Sequence, residues 1–66
     1  MKRWIELTDE YVKKIKHMAL RKIRLQNGDE RWAHWDKEEG CFFCDEGETA
    51  FYIDEMDRRP SHILMG

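Results

Sequence analysis

Cys41-Phe42-Phe43-Cys44 is the one local motif of this chain with chemical content. Two thiolates three residues apart can grip one metal ion where the backbone turns between them. Zinc takes sulfur and imidazole nitrogen tetrahedrally, so two further ligands are needed. His34, seven residues upstream, and His62 near the end are the candidates, giving an expected structural Zn2+ site of Cys41, Cys44, His34 and His62. His17 is a weaker candidate, and Asp36 and Asp45 could serve as oxygen ligands. Gly40 and Gly47 flank the pair and would permit a tight knuckle. Two alternatives stand beside this site. If residues 41–44 form a regular strand, the thiols point to opposite faces and become buried groups instead of chelators. Or two chains share one zinc through Cys41 and Cys44 of each, as a bridged homodimer. Redox use is disfavoured, because Glu38, Glu39, Asp45 and Glu46 surround the pair and oppose the thiolate.

A metal would matter energetically. The chain has 66 residues, and a domain that small has little core to set against conformational entropy. A structural zinc can contribute on the order of 10 kcal/mol to folding. The motif with its flanking glycines resembles half of a zinc-ribbon or treble-clef knuckle over about eight residues. It lacks the second Cys-x-x-Cys of those families, so the resemblance brings no function with it.

Other catalytic patterns are missing. There is no glycine-rich phosphate loop, no His-Glu-x-x-His and no Ser-His-Asp order. Asp45-Glu46-Gly47-Glu48 places its glycine too early for an EF-hand. A chain this short is also expected to lack a pocket of roughly 300 Å³ for a substrate. The expectation is a non-enzymatic protein.

The elements that must hold these residues divide with the charge. Residues 1–28 carry eight basic and three acidic side chains, and residues 29–66 carry four basic and eleven acidic ones. The basic half reads as one amphipathic helix near residues 9–26. Thr8 is a good N-cap, and Asp9 and Glu10 face the positive end of the dipole. Leu7 and Val12 suit a hydrophobic staple, and Asn27-Gly28 suits a C-terminal stop. At helical spacing Tyr11, Val12, Ile15, Met18, Ala19, Ile23 and Leu25 share one face. The acidic half reads as short strands and turns over residues 31–56, with Thr49–Met56 the best strand and an extra strand open at Trp4–Leu7. Residues 57–66 form a tail that can pack back on the core. The expected fold is α+β: one amphipathic helix across a three-stranded antiparallel sheet, a zinc-stapled single domain.

Function is then expected to lie in binding. Asp45, Glu46, Glu48, Asp54, Glu55 and Asp57 could line one acidic surface suited to a partner protein with a basic groove. Small size, charge division and three tryptophans resemble the general character of small phage-encoded inhibitors, anti-CRISPR proteins among them. That resemblance implies an inhibitor of a nucleic-acid-handling protein. The alternative is a nucleic-acid-binding module that uses Lys13, Lys14, Arg21 and Arg24 on the helix face, or a structural dimerisation element. Strand alternation sends Trp32 and Trp35 to opposite faces, so one is expected to be an exposed interface anchor. No apolar run reaches the roughly 20 residues of a membrane helix. No apolar segment follows the basic start, so a cytoplasmic location is expected (host cytoplasm on the phage reading).

Overall fold

The computed structural model describes residues 2–45 and 48–65. Its elements run β1 (Arg3–Glu6), α1 (Asp9–Val12), β2 (Leu20–Arg24), β3 (Glu30–Asp36), β4 (Cys41–Cys44), β5 (Thr49–Tyr52) and β6 (His62–Met65). The six strands make one sheet in the order β1-β6-β2-β3-β4-β5. Every neighbouring pair is antiparallel. Strands β2 to β5 form a meander of consecutive hairpins. The last strand then returns across the molecule to lie between β1 and β2.

Side chains alternate across a strand, so the register sorts them into two faces. Ile5, Ile63 and Ile23 lie in one row across β1, β6 and β2. Trp35, Phe42 and Phe51 lie in another across β3, β4 and β5. These rows are the inner face. Ile23, Ile63 and Phe42 have no exposed surface, and Trp35 packs on Phe42 with ring centroids 4.8 Å apart. Leu7, Val12 and Ile15 complete the core from the β1–β2 connection. Residues 53–61 are tied down by polar contacts. Gln26 Nε2 donates to the carbonyls of Met56 and Arg59, and Arg59 pairs with Asp9 at 3.1 Å.

The expected helix over 9–26 on a three-stranded sheet is overturned: the chain is nearly all β. The N-terminal signals hold locally. Thr8 Oγ1 accepts from the Tyr11 N–H at 3.1 Å, and Leu7 and Val12 are both buried. The helix nevertheless stops after Val12. The reason is that Leu20–Arg24 fits the alternation of a strand as well as the helical period. As a strand it sends Ile23 between Ile63 and the core, and it exchanges backbone hydrogen bonds with β3. Tertiary burial then overrides propensity. Asn27-Gly28 turns the β2–β3 hairpin: Gly28 has φ +95°, and Leu25 N–H donates to the Asp29 carbonyl at 2.7 Å. The same dipeptide is a strong hairpin signal. Where β2 begins, Met18 and Ala19 together oppose Trp35. Met18 N–H donates to the Trp35 carbonyl, and Trp35 N–H donates to Ala19. Met18 sits at φ +66°, so this is a β-bulge with methionine in the left-handed position that glycine usually takes. The tail expected after Pro60 is β6, and it holds the sheet together from within.

Candidate functional site

The Cys-x-x-Cys pair lies in the strand alternative. Residues 41–44 are β4, so Cys44 joins the inner face while Cys41 lies on the outer side, opposite Asp36 and Tyr52. Both thiols are buried and they form no disulfide. His34 is on β3, 3.6 Å from Asp45, and His62 is on β6 with Nδ1 2.9 Å from Ser61 Oγ. The whole of β2 separates the two histidines. His17 serves the β3–β4 turn, accepting from Lys37 N–H at 3.0 Å. Among the described residues, no group of three or more His, Cys, Asp or Glu is placed to hold a metal ion.

Cys41 has a distinct electrostatic setting. Burial pushes its thiol above the ordinary value, and the carboxylates of Asp36 and Glu39 push it in the same direction. The neutral thiol is thus favoured in the folded state. Its contribution to stability is intact below the unfolded thiol value and is lost as pH rises through the folded one. Urea midpoints are expected to fall between about pH 8 and about pH 10, and less steeply in Cys41→Ala. Equal slopes for the two proteins would remove this account.

The acidic residues bracket the edge strand. Asp45 and Glu48 precede β5, while Asp54, Glu55 and Asp57 follow it. Glu46 lies outside the described residues. Four residues of strand span about 13 Å, so the two groups sit at opposite ends of β5. The basic set is also divided. Lys13 and Lys14 follow α1 and are exposed, and Arg21 and Arg24 lie on opposite faces of β2.

The outer face gathers residues that the sequence pattern left apart. Trp4 pairs with Leu64, and Lys22 pairs with Trp32. The strands carrying these four residues lie side by side, β1-β6-β2-β3. The two tryptophans stand on strands with β6 and β2 between them. A cation stands over each ring: the Arg24 guanidinium is 4.2 Å from the Trp4 centroid, and the Lys22 ammonium is 5.9 Å from that of Trp32. Trp32 is 56 % exposed and Leu20 49 %. Glu30 pairs with Lys22 at 3.6 Å and Arg24 at 3.3 Å, through side chains that stay about one-third exposed. Ion pairs so accessible to water are weak. The period-2 run Leu20-Lys22-Arg24 was the available signal for this face, but the helical reading hid it.

The sheet also opens at one point. Strands β2 and β6 pair only at Ile23↔Ile63 and Arg24↔His62. Beyond Ile23 they diverge and leave a cleft of about 360 Å³. A second, wider groove of about 520 Å³ lies between Leu7–Asp9 and the Arg59–His62 segment. The expectation that so short a chain has no cavity of substrate size is therefore wrong. Among the described residues, the cleft between β2 and β6 is lined by cationic, aromatic and aliphatic side chains, with no carboxylate, imidazole or thiol. Among the described residues no helix is long and apolar enough to cross a membrane. No family model, curated protein or solved structure matches the chain.

Proposed function

We propose that this chain is a non-enzymatic binding module for single-stranded nucleic acid, which it engages with the outer face of its sheet. The observation that carries the reading is the pair of tryptophans on that face, each with a cation over its ring. Sequence-tolerant binding of single strands needs aromatic rings for bases and cations for the intervening phosphates. A sheet face offers both on one rigid support. The overall charge is −2; of the acids, Asp45, Glu48, Asp54, Glu55 and Asp57 flank β5 in the chain, while Glu30 stands beside Lys22 and Arg24 on the outer face.

The test is a titration with an oligothymidylate at rising salt, followed by tryptophan fluorescence. Each phosphate contact contributes about −0.7 to the slope of log K against log salt for a single strand. Lys22→Ala and Arg24→Ala should each weaken binding and flatten the slope by about that amount. Absence of quenching at low salt, or a slope of zero, overturns the reading. A second reading rests on the acids at both ends of β5, which suit a basic, nucleic-acid-handling protein and an inhibitory role of the phage type. It is favoured if the oligonucleotide fails to bind while such a protein is retained, and if Asp45→Lys with Glu48→Lys releases it.

A further inference from the structure

We infer that the cleft between β2 and β6 holds one nucleotide, base and phosphate together; this rests on the single-strand reading and assigns it a specific subsite. The strands part after Ile23↔Ile63, so the opening passes between the two faces of the sheet: Lys22, Trp32 and Leu64 lie on its outer side, and Arg21 and Met65, which alternate with them, on its inner side. At about 360 Å³ it falls within the range of small-ligand sites. Its lining is chemically one-sided. Lys2, Arg21 and Lys22 supply three cations, and among the described residues no acidic side chain lines the cleft with them. Lys22 is shared with Glu30. Lys2 and Arg21 have no carboxylate partner among the described residues.

Arg21 donates from Nη1 to its neighbour's carbonyl at Leu20, 2.9 Å away. That bond anchors the guanidinium and leaves its other N–H groups for an anion. Trp32 and the aliphatic Leu20 and Leu64 provide apolar surface for a planar ring. Below them Tyr11 contacts the Met65 sulfur and closes the cleft towards the core. A planar aromatic group bearing a phosphate satisfies both halves of this lining. A neutral acyl chain would leave the cations without partners, and free inorganic phosphate would leave the apolar wall wet. The nucleotide can come from a bound strand or be free in solution, and the chemistry of the cleft is the same for both.

The experiment compares adenosine 5′-monophosphate, adenosine and oligothymidylate on the wild type, Arg21→Gln and Leu20→Trp. Leu20 is half-exposed at the cleft, so tryptophan there narrows the opening without entering the core. Circular dichroism melts confirm that each variant is folded. The monophosphate is expected to bind more tightly than adenosine by about tenfold or more, the usual worth of a charge-assisted contact. Arg21→Gln should remove that difference, and Leu20→Trp should weaken both ligands. Equal affinity for monophosphate and adenosine in the wild type overturns the inference. Oligothymidylate binding that is identical in all three proteins also overturns it, while leaving the single-strand reading intact. Monophosphate binding lost in Arg21→Gln, with no oligothymidylate binding, supports the cleft as a nucleotide site and overturns the single-strand reading alone.

Discussion

Phe42→Ala is expected to leave a chain without a cooperative unfolding transition. Phe42 has no exposed surface and stands in one row with Trp35 and Phe51 at the centre of the inner face. Truncating such a side chain costs about 3–5 kcal/mol in transfer and cavity terms. A core of this size rarely supplies more than about 3–5 kcal/mol of net stability. The loss therefore consumes the margin. The core already carries one cost, since the buried Trp35 Nε1 has no hydrogen-bond partner among the described residues, and such an orphan costs about 1–3 kcal/mol. Urea titration by circular dichroism is the check. Phe42→Leu, which keeps most of the volume, should still unfold in a single step at a lower midpoint. A Phe42→Ala protein within about 1 kcal/mol of the wild type would show that the meander is not held by this row.

The double variant Trp4→Ala with Trp32→Ala is expected to abolish measurable oligonucleotide binding without unfolding the protein. Each base stacked on an aromatic ring is worth about 1–3 kcal/mol by alanine substitution. The rings are far enough apart for their effects to add. Together they come to about 2–6 kcal/mol, a loss of roughly thirtyfold or more. Neither ring belongs to the buried cluster, and Trp35 stays in place as a reporter of the core. Fluorescence anisotropy of a labelled oligothymidylate measures the loss. An unchanged affinity, with the near-ultraviolet signal of Trp35 preserved, would exclude the outer face as the binding surface.

The short strands between residues 31 and 52 were legible, whereas β2, expected as part of a helix, and β6, expected as a tail, were not. Around Trp35, Phe42 and Phe51, short aromatic-rich runs are bounded by turn-forming Asp, Glu and Gly. That pattern has one physical solution, a short antiparallel strand. From Asp9 to Leu25 two solutions compete. Ile15, Met18, Ala19, Ile23 and Leu25 make a helical stripe, yet Arg21, Ile23 and Leu25 also alternate with Leu20, Lys22 and Arg24. Local spacing does not decide between them. The decision is made by β6, about forty residues further along the chain, which supplies Ile63 as the partner of both Ile5 and Ile23. The opposite placement of Cys41 and Cys44 was foreseeable from the strand alternative alone. The exposure of Trp32 and burial of Trp35 followed from alternation for the same reason. The cleft was not foreseeable, because it depends on where two strands distant in sequence stop pairing.

The sheet does not close on itself, and its order leaves β1 and β5 each with one unpaired side. Such borders invite a second copy to add strand to strand, the first step of fibre growth. On β5 the residues at both ends carry the same sign, with Asp45 and Glu48 before it and Asp54 and Glu55 after it. In an antiparallel docking of two β5 strands, the Asp54 end of one chain would meet the Asp45 end of the other. Negative charge would face negative charge at both extremities, so this border resists self-propagation whatever ligand the outer face carries.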